Sequence, residues 1–160
     1  MTPDRINGRV IVDRIAWVQT MVARLKALPL RSKDEFLGNP DLVAAAESYL
    51  RRALEALFDL GRHILAKKFA LPTSEYKDVA SGLANVKLLD KSEADLLAKM
   101  AGYRNRMVHL YHEIGPEELH QIALLHADDI LLILDRIKRW AQQEIELPRG
   151  KKRTAKKVKS

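Results

Sequence analysis

Residues 39–69 read NPDLVAAAESYLRRALEALFDLGRHILAKKF. Asn39, Pro40 and Asp41 have the form of a helix start. Asn39 is the cap and Pro40 takes the first helical position, where its missing N–H is no loss. Ala46, Leu50, Ala53, Leu57, Gly61 and Ile64 then recur at spacings of three and four, which gathers them on one helix face. Three of these six are small, so the face admits close approach of another helix. Pro72 closes the segment because it cannot continue the hydrogen-bond ladder.

The same period extends in both directions. Upstream, Ile11, Ile15, Val18, Val22 and Leu25 form a stripe that Trp17 and Met21 widen, and Pro29 ends it. Residues 32–41 read as a connection. Downstream, Thr73 or Ser74 can cap a short helix from Glu75 to about Val86. Ser92, with Asp95 three residues on, can cap the next. Leu96, Met100, Tyr103 and Met107 are its apolar positions. After Gly115, Pro116 with Glu117 and Glu118 suits a first turn, where acids complement the helix dipole. The last helix runs to about Ile145, with Leu119, Ala123, Ile130, Ile133, Ile137 and Trp140 inward. Trp17 and Trp140 both read as core. No segment alternates apolar and polar residues over a strand length. The chain is therefore expected to be all-α, an antiparallel bundle of four to five helices with no sheet.

Composition excludes several classes. There is no cysteine, hence no disulfide scaffold, thiolate zinc site or cysteine nucleophile. No window approaches a membrane span, and no apolar leader is visible at residues 1–10. A cytoplasmic protein is the expectation. The formal net charge of +7 comes from 28 Lys and Arg against 21 Asp and Glu. Seven of those bases (Arg149, Lys151, Lys152, Arg153, Lys156, Lys157 and Lys159) crowd into residues 149–160, which hold no acid. The other 21 bases balance the acids. Residues 1–148 thus read as a neutral helical domain, and 149–160 as a basic tail unable to pack. The tail is either a solvated extension or a steering element for RNA phosphates, with Lys151, Lys152, Arg153, Lys156 and Lys157 adding salt-dependent affinity.

The chemistry-bearing stretch is Arg104-Asn105-Arg106-Met107-Val108-His109-Leu110-Tyr111. Arg104 and His109 fall near one face at the end of a helix. Arginine is a permanent planar cation suited to phosphate. Histidine exchanges protons near neutral pH. Tyr111 offers a hydroxyl and a stacking surface. Together these groups can cleave RNA without a metal. His109 would move a proton to or from the 2′-hydroxyl or the leaving 5′-oxygen, and Arg104 would stabilise charge at phosphorus. Asn105 and Arg106 could orient the backbone. The bland alternative is an arginine that compensates a helix dipole and a capping histidine. His109, His112 and His120 raise the question of a metal, but the nearby Glu113, Glu117 and Glu118 suit capping and solvation equally well, so no metal is assigned. His126, on the apolar stripe of the last helix, reads as a satisfied buried histidine, and His63 similarly.

Residues 102–114 closely resemble the signature of the HEPN superfamily in its HepT-like toxin branch: Arg, a polar residue, three further residues, His, any residue, Tyr. Arg104, Asn105, His109 and Tyr111 match all four marked positions. The resemblance continues through Ala45 to Ile64 and through Tyr76 to Asp90, and covers about Arg5 to Leu147. It implies a helical homodimer whose two motifs face each other across a composite site, with Arg104 and His109 catalytic and Asn105, Arg106 and Tyr111 assisting. It further implies metal-independent endoribonuclease activity without a cofactor, with tRNA among the branch's substrates. The implied partner is a minimal MntA-like nucleotidyltransferase antitoxin, in a type VII-like pair, that modifies Tyr111 with AMP. A non-catalytic HEPN module that binds RNA or nucleotide, or that serves a nucleotidyltransferase, is the alternative.

Overall fold

The computed structural model describes residues 6–109, 114–145 and 147–148. Among them are helices α1 (Gly8–Lys26), α2 (Lys33–Leu37), α3 (Pro40–Phe69), α4 (Tyr76–Asn85), α5 (Lys91–Val108) and α6 (Pro116–Glu144), and no strand. The fold is an all-helical bundle. No helix among the described residues is long and apolar enough to cross a membrane.

The longest helix, α3, spans 30 residues, about 45 Å at the α-helical rise. Asn39 caps it by accepting from the Asp41 amide, with Pro40 at its first position. Its expected face is buried, from Ala46 to Ile64. α1 lies along α3, and α6 packs on both. The stripes of all three helices meet in one core, with Ile11, Val18, Val22, Leu50, Leu57, Ile130, Ile133 and Ile137 fully enclosed. α4 and α5 form a pair that leans on α3.

Gly61 has the role that the spacing implied, and Gly82 of α4 answers it. A Cβ added at Gly61 would fall 2.7 Å from a Val79 methyl, and one at Gly82 would fall 2.8 Å from a Leu65 methyl. Each glycine therefore receives a side chain from the facing helix, and α3 and α4 approach closely.

Several local expectations are revised. A sixth element, α2, forms inside the stretch read as a connection. Ser32 caps it and Phe36 is fully buried beneath it. α5 is capped by Asp90 rather than Ser92, because Glu93 completes a reciprocal capping box with Asp90 and the Ser92 hydroxyl donates to Asp90 instead. α4 begins at Tyr76, and its N-cap is Glu75 rather than Thr73 or Ser74, with no side-chain capping bond. Trp17 is 41% exposed rather than core, because it sits beside the stripe carried by its neighbour Val18. Trp140 is half-buried, tilted against Phe69 at 5.9 Å between ring centroids.

Replacing Gly61 with Leu should separate α4 from α3 and cost about 1–3 kcal/mol, the usual penalty of overpacking. The melting temperature should fall by roughly 2–4 °C per kcal/mol. Gly102→Ala, where an added Cβ meets nothing within 4 Å, should instead raise stability by about 0.5–1 kcal/mol. Equal melting temperatures for Gly61→Leu and the wild type would contradict the close α3–α4 contact.

Candidate active site

The capping box fixes the start of α5. Its end is set by His109, the C-cap, whose backbone turns extended (φ −93°, ψ 118°) while its N–H still donates to the Asn105 carbonyl at 3.1 Å. Arg104 and Asn105 belong to the closing turns of the helix, and His109 is where the chain leaves it. Arg104, Asn105 and His109 line one open pocket of about 480 Å³, together with Arg62 from α3 and Ser74, Glu75, Tyr76 and Lys77 at the start of α4.

Arg104 is held on several sides. Its guanidinium lies 4.6 Å from the Tyr76 ring centroid, a cation–π arrangement. Its Nε stands 3.4 Å from Glu55 Oε1, an ion-pair distance without hydrogen-bond geometry. One terminal nitrogen donates to Asn105 Oδ1 at 3.4 Å. Glu55 is shared with Arg51, 3.6 Å away. The Tyr76 ring stacks on buried Phe58 at 4.7 Å and 15°. Burial pushes the Tyr76 phenol above its usual range, so it stays neutral at physiological pH. A second guanidinium, that of Arg62, lies 5.1 Å from the same ring and donates to the Ser74 carbonyl at 3.2 Å. His109 is exposed. The pocket thus presents fixed cations beside an accessible imidazole. That combination suits an anionic substrate that must gain or lose a proton.

Arg106 is turned elsewhere. It forms a two-pronged bond with Glu118 of α6, at 2.7 and 2.6 Å, and so joins α5 to α6. His126 is part-buried between Asp129 (2.8 Å) and the Tyr103 hydroxyl (3.4 Å). His120 is buried, with Nε2 2.6 Å from the Leu30 carbonyl. His63 Nε2 accepts from the Asn7 amide at 3.3 Å, and burial, with Lys67 and Arg14 nearby, holds its pKa below the usual range. Tyr111 and His112 lie outside the described residues, as do Lys151, Lys152, Arg153, Lys156 and Lys157.

Sequence reading left Arg62, Tyr76, Lys77 and Glu55 without a role. One signal was available. Arg51, Glu55, Asp59 and Arg62 follow one another at spacings of four, four and three on α3, and all four are half-buried. A charged stripe on an otherwise buried helix marks a polar surface that something covers.

The chain matches the family model described as ribonuclease HepT-like over residues 18–137. It is 27% identical over 130 residues to the mRNA nuclease HepT of Shewanella oneidensis, covering 81% of this chain and 96% of that protein. It is 26% identical over 114 residues to the tRNA nuclease HepT of Aphanizomenon flos-aquae, covering 71% and 78% respectively. Among solved structures it resembles the tri-AMPylated Shewanella oneidensis HEPN toxin in complex with MNT antitoxin, with TM-score 0.74, 25% identity, and coverage of 81% of this chain and 97% of that one. The Bacillus subtilis cytosolic protein of unknown function YutE has the same fold at 18% identity and TM-score 0.74, covering 87% of this chain and 93% of that one.

The Arg106–Glu118 pair generates a pH prediction. Donation from Arg106 holds the Glu118 carboxyl below its usual range. A depressed folded-state pKa gives stability that is present above the unfolded value and lost as pH falls through the folded one. Glu118→Gln should therefore lower the melting temperature slightly at neutral pH and flatten its fall in acid. Both side chains are about two-fifths exposed, so the effect should be small. A variant whose acid limb is as steep as the wild type's would show that the pair contributes nothing.

Proposed function

The chain belongs to the ribonuclease HepT-like family, and from that premise we propose that it is a metal-independent endoribonuclease, the toxin of a toxin–antitoxin pair. The observation that carries this reading is the shared pocket of Arg104, Asn105 and His109, with Arg104 held against Tyr76 and Glu55.

In the proposed reaction the 2′-oxygen of RNA attacks the neighbouring phosphorus and the 5′-oxygen leaves. The products are a 2′,3′-cyclic phosphate and a 5′-hydroxyl end. One proton must leave the 2′-hydroxyl and one must reach the 5′-oxygen. His109 performs one of these transfers. The second falls to the motif of another copy of the chain, which is why a composite site across a homodimer is the favoured assembly. Arg104 stabilises the charge that builds on the phosphoryl oxygens, and a guanidinium already fixed needs no reorganisation to do so. Asn105, which accepts from Arg104, helps to orient it. The relatives named as mRNA and tRNA nucleases support RNA as the substrate class, with tRNA included.

For regulation we infer a nucleotidyltransferase partner of the MNT kind that adenylates Tyr111. The support is the tri-AMPylated state of the Shewanella toxin in its complex with an antitoxin, together with the match of Tyr111 to the motif. Added phosphates two residues beyond His109 would compete with RNA for the cations of the pocket. The basic residues of 149–160 add sequence-independent affinity that salt removes.

Purified protein should cleave RNA in the presence of a chelator. Arg104→Gln and His109→Ala should each lower turnover by at least about 10²-fold while still binding RNA. Cleavage by His109→Ala at the wild-type rate would remove the acid–base assignment. Binding without cleavage by the wild type would favour the non-catalytic module. Incubation with the partner and ATP should raise the intact mass by whole adenylate units, and Tyr111→Phe should stay unmodified. Full modification of that variant would move the acceptor elsewhere.

A further inference from the structure

We propose that Arg62 and Lys77 form a second phosphate subsite beside Arg104, one that holds the phosphate next to the scissile one on a single RNA strand. The identity of the strand rests on the ribonuclease reading; the subsite itself rests on the following geometry.

Two permanent cations, Arg62 and Arg104, share the Tyr76 ring at 5.1 and 4.6 Å. Bringing like charges to one ring costs repulsion, which the ring quadrupole offsets only in part. Arg104 has Glu55 as a counter-charge. Arg62 has no carboxylate at salt-bridge distance among the described residues, and its one hydrogen bond goes to a neutral acceptor, the Ser74 carbonyl. Its Nε is buried without a hydrogen-bond partner. The terminal nitrogens of this guanidinium are therefore kept largely unspent at the wall of an open pocket. Glu75, the acid in the pocket lining, pairs with Lys77 at 3.7 Å, and both side chains are exposed, so the pair is weak and an anion can compete for the lysine. An anion between Arg62 and Lys77 would relieve the repulsion and use the idle donors.

The shape favours a polymer over a lone anion. Lys77 is a wall residue both of this pocket and of a neighbouring groove of about 600 Å³ between α4 and α5. Lys87, Lys91 and Arg136 line that groove with two acids, Asp90 and Asp95. Asp90 is engaged as the cap of α5, so the lysines and the arginine outnumber the acid that is left. A strand with one phosphate at Arg104 can place the next at Arg62 and continue over Lys77.

The test uses the full chain and an uncleavable 2′-O-methyl oligoribonucleotide, with affinity followed across a salt series. Arg62→Gln should weaken binding several-fold at low salt and lower the slope of log affinity against log salt by about 0.7, the value of one phosphate contact on a single strand. Arg62→Lys should keep the slope, and Lys77→Gln should lower it in the same direction. A parallel arm measures kcat/KM on a dinucleoside monophosphate and on the same substrate extended by one phosphate. The wild type should gain from the extension, and Arg62→Gln should lose that gain. Wild-type affinity and slope in both Arg62→Gln and Lys77→Gln would overturn the subsite, as would a full extension gain in Arg62→Gln. If the wild type binds but cuts neither substrate, the ribonuclease reading fails, while the salt series still decides the subsite.

Discussion

The ring of Tyr76 stacks on Phe58 within the bundle and carries the Arg104 guanidinium 4.6 Å from its centre. Much of the site depends on that contact. Tyr76 is the first residue of α4, and α4 is seated by the interlock of Gly61 with Val79 and of Gly82 with Leu65. The two glycines therefore set where a ring stands, and the ring helps to set where a cation points. With Glu55 at its Nε, the guanidinium is restrained before any substrate arrives. Fixing a charge in advance is what makes it effective on a developing oxyanion.

α5 is fixed at both ends for the same purpose. The Asp90–Glu93 box defines its start, and the Arg106–Glu118 pair anchors its last turns to α6. Between these restraints the helix can present Arg104 and Asn105 at one wall of the pocket and release His109 at its rim. Arg106 thus contributes to the site from outside it, by steadying the turn that carries His109. Exposure of His109 and restraint of Arg104 fit the proposed reaction: a proton carrier must meet substrate and solvent, whereas a charge stabiliser gains from being held.

The bundle was legible because its long helices repeat one pattern many times. Asn39 with Pro40, and the stripe from Ala46 to Ile64, appear in the structure as read. α2 was not legible, since five residues that bury Phe36 alone show no period. The cap of α5 was read at Ser92 because serine is a common cap, whereas the reciprocal bonds between Asp90 and Glu93 decide the matter. At the site, the residues contiguous in the motif were legible and their surroundings were not. Tyr76 and Glu55 reach Arg104, and Arg62 reaches the same Tyr76 ring, through the packing of α3 against α4 and α5, and that contact leaves no mark on local spacing beyond the half-buried charges of α3.

Turnover at saturating RNA by Tyr76→Phe and Tyr76→Leu reports whether the Tyr76 ring aims Arg104 for the proposed RNA cleavage. The phenylalanine variant keeps the ring and should cleave at close to the wild-type rate. The leucine variant, checked for an intact fold by its melting curve, should lose about 10²-fold in kcat, the scale expected when a catalytic group is misplaced by about an ångström. A folded Tyr76→Leu protein that turns over RNA at the wild-type rate would show that the ring does not aim Arg104.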